Sequence, residues 1–378
     1  MKDRNRLFIT LSLFFIFIFT RIYVRLSNNF WSDESAELNS LTNIRQLLTF
    51  YLPGITAGYP GHYLLMFPVF KLFGNNRILL SLPGLMSQAV VFCLIPKIIF
   101  KLKVITKEQI FFASTVTRIL FLLDPKITFQ AIEIRPYSVM PFIWVIILFL
   151  TSQIIYFDRL EFSGKNMIKT VEIFFILLLL FYFHSVSAIM AISIYGFFMF
   201  RIKIYKLKDI IFRRSFIILF LCFILSLPVW KYFSAASCTF CYVNHFNTFK
   251  TAQVTLMELY AINKGSFNDI KIQNVLYFIA LCLMLIILIG EIIVLIKSLI
   301  QHNYLIILKP FYVLNITLVL IPLLAIFVGD YMNRYGFWLR QLAWVMLPFY
   351  ISIGAVLSGL NYKVIYNLFN DKKLNNRT

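Results

Sequence analysis

Runs of about twenty apolar residues recur from one end of this chain to the other, beginning with the stretch LFITLSLFFIFIFT that starts at Leu7. Nothing constrains the fold more tightly. A helix rises 1.5 Å per residue, so such a run is long enough to cross ~30 Å of hydrocarbon. No water is present in that layer to satisfy N–H and C=O groups, so the run must close its own hydrogen bonds as a helix. The 378 residues are 60% hydrophobic and only 14% charged. That balance excludes an ordinary soluble domain, and no polar stretch is long enough to form a second one. The expectation is an all-α polytopic membrane protein, one integral domain over 1–378.

About ten spans are predicted: 7–24, 78–100, 108–128, 136–157, 170–183, 185–200, 212–230, 272–297, 307–328 and 340–358. The net charge of +20 would point to nucleic acid in a soluble protein. Here the basic residues collect in alternate loops, which is how cytoplasmic loops of membrane proteins are marked. Lys97, Lys101, Lys103 and Lys107 form one such group, and Arg201, Lys203, Lys206, Lys208, Arg213 and Arg214 another. This sets both termini in the cytoplasm of a cell with a multi-pass plasma (inner) membrane protein. MKDRNR before the first apolar run resembles a signal peptide, but no small-residue cleavage site follows, so an uncleaved first span is expected.

Two segments on the outer side are long. In 25–77, ESAELNSLTNIRQLLTFY places Leu38, Leu41, Ile44 and Leu48 at helical spacing, and HYLLMFPVFKLFG repeats the pattern with Pro68 as a candidate break. Both read as helices lying in the outer interface. The second outer segment, 231–271, is mixed and carries Cys238 and Cys241. A lone C-x-x-C has no second pair to complete a zinc site. Cys93, Cys222 and Cys282 lie in apolar runs and read as small hydrophobes.

The charged residues at the outer edge are few, which makes their grouping informative. Of 16 acids in the chain, three fall in Asp33, Glu34 and Glu37, just after the first span. A helix starting at Ser32 or Asp33 would bring Asp33 and Glu37 onto one face. Helix capping explains acids there; so does a general base serving a substrate that enters from the bilayer. Asp124-Pro125 and then Gln130 to Tyr137, QAIEIRPY, end the third span and open the fourth. Glu133 and Arg135 sit there at the edge of the apolar zone, and a guanidinium fork suits a phosphate. Arg77, Arg334 and Arg340 fall on the same side, where each could instead reach lipid headgroups. Arg118 lies near mid-depth of the third span and should face the protein interior or a wet cavity. His62 and His184 are isolated histidines. No metal-binding His spacing and no nucleotide-binding glycine motif occurs.

In this order the motifs resemble those of the C-type (GT-C) membrane glycosyltransferases, in the branch that holds protein O-mannosyltransferases, aminoarabinose transferases and rhizobial core transferases. The residues that carry the likeness are W-x-D-E (Trp31, Asp33, Glu34), Y-P-x-x-Y-L-L (Tyr59, Pro60, Tyr63, Leu64, Leu65), Leu72 to Gly74 with Leu79, Leu82 and Pro83, E-x-R-P-Y-S (Glu133, Arg135, Pro136, Tyr137, Ser138), His184, and Arg334-Tyr335. The chain departs from the family pattern at Pro60-Gly61, where a paired proline is usual. It departs again at Ser81-Leu82-Pro83, where the family has Arg-Leu-Pro and this chain has Arg77 nearby. The large C-terminal domain that some members carry is not expected here, since the sequence after the last predicted span, 340–358, is short.

The resemblance implies a GT-C-like fold and a specific reaction on the outer face. A polyprenyl-phosphate-linked sugar would be the donor, and a glycan, lipid or protein hydroxyl the acceptor. Asp33 would be the general base, and Glu34 would orient Asp33 or the acceptor. Arg135, Arg334, Arg340 and Arg77 would bind the donor phosphate. Tyr59, His62, Glu133, Tyr137 and His184 would line the sugar pocket. Neither metal nor cofactor is implied, and no nucleic acid. A glycan polymerase and a lipid-linked glycan flippase or transporter are the competing readings; the absence of repeat halves weighs against transport.

Overall fold

The computed structural model describes residues 3–30, 32–42, 60–102, 107–135, 138–140, 142–146, 346–355 and 357–358, with isolated positions between 176 and 300. Every regular element among them is helical, and two, Arg4–Ser27 and Leu82–Phe100, are long and apolar enough to cross a membrane. The fifth to ninth predicted spans are described at no more than isolated positions, and the 231–271 segment lies outside the described residues.

The first apolar run forms α1 (Asp3–Ser27). After a four-residue linker, α2 (Ser32–Leu41) begins where the acid cluster predicts a helix start. Helix α3 (Pro60–Phe73) runs straight through Pro68, so the candidate break is not one. Pro68 and Leu64, whose carbonyl it leaves without an N–H, both lie on the exposed side of α3. The freed acceptor is therefore not trapped in the core.

Prolines do interrupt the next two predicted spans. The expected 78–100 helix is split into α4 (Arg77–Leu80) and α5 (Leu82–Leu102). Pro83 has no N–H to continue the ladder across Ser81, but it is tolerated in the first turn of α5. Asn76 caps α4, its side chain accepting the N–H groups of Ile78 and Leu79 at 3.2 Å each. The expected 108–128 helix is likewise α6 (Lys107–Leu123) followed by α7 (Pro125–Ile132). Pro125 opens α7, and the preceding Asp124 caps it, Oδ1 accepting the Ile127 N–H at 3.1 Å. The last described helix, α8, is Met346–Ala355.

Side-chain contacts give the directions of the helices. Phe17 packs on Phe92 and Phe121, and Val24 clusters with Leu85, so α5 runs antiparallel to α1. Arg6 lies over Phe111, and Arg21 reaches the carbonyls of Phe121 and Leu122, so α6 runs parallel to α1. Helix α8 descends against α6: Thr117 Oγ1 donates to the Tyr350 carbonyl, Gly354 abuts Ala113, and Gln109 Nε2 donates to the Ser358 carbonyl. The contact face is built from small residues, the usual way for membrane helices to approach closely. Tyr350 Oη closes the joint by donating to Asp124 Oδ2 at 2.7 Å.

Two buried arginines occupy carbonyls that prolines release. Arg118, placed by the sequence without a partner, donates from Nε to the Phe92 carbonyl at 3.1 Å. That carbonyl has lost its ladder partner to Pro96, which stands inside α5. Arg21 Nη2 donates to the Phe121 carbonyl at 3.2 Å, the acceptor that Pro125 leaves open. Its Nη1 takes the Leu122 carbonyl at 3.1 Å. A cation at the C-terminal end of α6 also opposes the negative end of that helix's dipole.

Helices α2, α3 and α4 gather at the end of the bundle where α1 finishes. Leu38 and Leu41 of α2, Tyr63 and Met66 of α3, Leu80 and Ile134 form one buried cluster there. The predicted interfacial helices thus bury apolar side chains against each other and against the 132–135 segment. Ile44 and Leu48, the other predicted apolar positions, lie outside the described residues.

Candidate functional site

The cap of the bundle collects charge. Glu34, in the first turn of α2, is buried, and its Oε1 accepts from Arg25 Nη1 at 3.1 Å. The same oxygen accepts the Ile134 N–H at 2.9 Å. Oε2 lies 3.3 Å from the same Arg25 nitrogen. The partners are set by how the helices end. Arg25 is in the last turn of α1, and Ile134 lies just beyond the end of α7, where the backbone no longer follows the helix. The ion pair is buried on both sides, 2% and 1% exposed. The Ile134 N–H satisfies part of the carboxylate, while Arg25 Nε and Nη2 are buried without a hydrogen-bond partner among the described residues, so the pair is held chiefly by its own attraction and the Phe30 ring.

The linker between α1 and α2 is fixed at both ends. Asn28 Nδ2 donates to the Val24 carbonyl at 2.7 Å. The Phe30 ring carries the Arg25 guanidinium 4.5 Å from its centre and that of Arg77 at 5.8 Å. Asp33 stands at the second position of α2 and Glu37 one turn later, as the spacing predicts.

The 133–138 segment is the other wall. Glu133 is buried and within electrostatic reach of Arg25, as is Arg77. Arg135 is partly exposed on a turn closed by Ser138, whose N–H and Oγ both donate to the Arg135 carbonyl, at 3.0 and 2.8 Å. Ser81 Oγ takes the Ile132 carbonyl at 2.7 Å, satisfying the end of α7. Gly84 admits α7 so closely that a Cβ there would strike the Ala131 carbonyl.

His62 is buried in α3 beside the Ile134 backbone. Burial pushes its pKa down to about 3, opposed in part by the Ile134 backbone and reinforced, least of the three, by the charge of Arg135. It is a neutral imidazole at physiological pH.

The fold therefore brings together five residues that the sequence singles out: Glu34, His62, Arg77, Glu133 and Arg135. Tyr59, Tyr137, His184, Arg334 and Arg340 lie outside the described residues. Sequence reasoning missed Arg25 and Phe30. A signal existed: Arg21 and Arg25, four residues apart, end the first apolar run on the side where basic residues should be scarce. Among the described residues no group of three His, Cys, Asp or Glu side chains could hold a metal ion. The pairing of carboxylates with guanidinium groups offers proton acceptors beside anion donors within one small region. No protein-family model matches the chain, and neither does any curated protein or solved structure.

Proposed function

We propose that this chain is a multi-pass membrane glycosyltransferase of the C type. It has about ten spans and both termini in the cytoplasm. It moves a sugar from a polyprenyl-phosphate carrier to an acceptor hydroxyl on the outer face of the membrane. One observation carries the reading: the Glu34 carboxylate accepts the Ile134 N–H at 2.9 Å, across 100 residues of chain. This joins the D-E stretch to the E-x-R stretch, the two segments that the family resemblance assigns to one site. The apolar face of α1 supports the membrane setting. Phe8, Phe15, Phe19, Tyr23 and Leu26 all stand exposed along its length. Water would tolerate so continuous a patch poorly, whereas lipid would cover it.

The chemistry follows from the groups present. Asp33 takes the proton from the acceptor hydroxyl as its oxygen attacks the anomeric carbon, a role worth roughly 10²–10⁴ in rate. The bond from that carbon to the phosphate oxygen breaks, and polyprenyl phosphate leaves with the electron pair, inverting the centre. Charge grows on the phosphate as it departs. Arg135 and Arg77, with Arg334 and Arg340, stabilise it; removing one such donor costs about 10²–10³. Glu34, held by Arg25, orients Asp33 rather than transferring a proton itself. His62, enclosed and neutral, backs the wall of the sugar pocket.

The test is mass spectrometry of surface glycans from three strains of the host: one lacking the gene, one with it restored, and one carrying Asp33→Asn. Loss of one defined sugar on deletion, regained with the natural chain and not with Asp33→Asn at equal expression, is the expected result. Full restoration by Asp33→Asn would make the acid cluster a helix cap. Loss or shortening of the whole glycan on deletion would favour a polymerase or a transporter.

A further inference from the structure

We infer that Arg25, at the end of the first apolar helix, is a positioning residue that holds the proposed base-bearing helix α2 against the 133–135 turn. The inference rests on the transferase reading and adds to it a residue that the family resemblance does not assign.

Three observations converge on Arg25. Its Nη1 is shared between both oxygens of Glu34, at 3.1 and 3.3 Å, so it fixes the carboxylate's orientation as well as its position. The oriented Oε1 is the one that accepts the Ile134 N–H. The face of the same guanidinium lies on Phe30, three residues before Asp33, while Glu34 is the residue directly after it. One side chain therefore holds the chain on both sides of Asp33. It does so from α1, the helix whose last turns are themselves anchored to α6 by Arg21. Movement of α2 away from the Glu133–Arg135 turn breaks the Glu34–Ile134 hydrogen bond, and movement off the end of α1 breaks the Arg25–Glu34 pair inside the protein, where a charge left alone is costly.

A positioning role differs from a purely structural one in what it changes. A displacement of about 1 Å between reacting groups lowers a rate by about 100-fold without abolishing substrate binding. Replacing Arg25 by Met removes the ion pair and the stacking of the guanidinium on Phe30. Replacing it by Lys keeps the charge that Glu34 needs for burial but loses the planar group that stacks on Phe30 and with it the fixed direction of the donor. The Lys variant should therefore fold, with loosened rather than lost positioning.

The experiment uses the purified full chain added to membranes from the deletion strain, which supply donor and acceptor together. Sugar transfer is followed by mass spectrometry as membrane amount is varied. In parallel, amide hydrogen exchange of the purified chain is read for peptides covering 32–41 and 132–138. For Arg25→Met the expected result is about a 100-fold lower maximal rate with little change in half-saturation. For Arg25→Lys it is a loss of about tenfold. Both variants should exchange the Ile134 amide at least tenfold faster, while α5 and α6 keep natural protection. Asp33→Asn should leave that exchange unchanged.

An Arg25→Lys rate within twofold of the natural chain, or an unchanged Ile134 exchange, would overturn the assignment. If Arg25→Met fails to fold, Arg25→Lys alone decides. If the natural chain transfers no sugar, the transferase reading falls; if Asp33→Asn transfers it normally, only the Asp33 assignment falls; in both cases the exchange data still judge the clamp independently.

Discussion

Arg118 and Pro96 should behave as one unit, although they lie on different helices. Pro96 deprives the Phe92 carbonyl of its helical N–H, and Arg118 Nε supplies a donor at 3.1 Å. The guanidinium also lies 4.9 Å from the centre of the Phe92 ring. Replacing Arg118 by Met leaves a buried carbonyl with its donor gone. Such a loss costs ~1–3 kcal/mol in soluble proteins. Polar pairs between helices in membranes average about 0.6 kcal/mol and reach about 1.7 kcal/mol. A charged donor on a buried carbonyl belongs at the upper end, so a coupling of about 1–2 kcal/mol is expected. Pro96→Ala returns an N–H to the ladder, and in that background Arg118→Met should cost little. The assay is a double-mutant cycle on the purified chain in detergent, with unfolding followed by circular dichroism against rising denaturant. The single Arg118→Met value alone is not diagnostic, because that change also removes a cation that is costly to insert, by roughly 2.5–3.5 kcal/mol. The cycle cancels this cost. Additivity within ~0.5 kcal/mol would refute the reasoning, since independent sites add to that precision.

Three more consequences follow from the described structure. Gly354→Ala places a methyl group 2.5 Å from both the Ala113 carbonyl and Thr117 Oγ1. Overpacking of this kind costs ~1–3 kcal/mol, so the melting temperature should fall. Gly74→Ala, at φ 55° with nothing nearby, carries only the ~1–2 kcal/mol strain of a left-handed backbone. His62 makes stability depend on pH in a stated direction. Its pKa is lowered from 6.5 to about 3 in the folded chain, so the unfolded chain binds the proton first as pH falls. Stability is unaffected above pH 6.5 and declines between there and pH 3, by about 1.4 kcal/mol per unit at most. His62→Gln should flatten the slope measured between pH 6.5 and 4.5; an identical slope would contradict the buried-neutral assignment.

Much of the local structure was legible because its causes are local. An apolar run announces a helix wherever water is absent, and Ser32 followed by acids announces a helix start. Pro125 marks where one helix ends and another begins, because a missing N–H acts within four residues. The same rule failed at Pro68, where α3 continues on an exposed face. It was incomplete at Ser81, where Pro83 splits the predicted second span. Among site residues, the acid pair and E-x-R stood out because charges are rare in so apolar a chain. Arg25 did not, because a basic residue closing an apolar run reads as an ordinary anchor until its partner is known.

The sequence alone thus determined helicity, the positions of most breaks, and the narrow set of charged residues from which a site could be made. Only the tertiary structure decided which of them meet. Glu34 finds Ile134 across 100 residues, and Asp124 finds Tyr350 across 226. No periodicity encodes such a pairing. It depends on how α1, α6 and α8 are directed and how closely Ala113 and Gly354 let two backbones approach. A buried charge takes whichever partner that packing brings within 3 Å, because inside the protein it cannot turn to water instead.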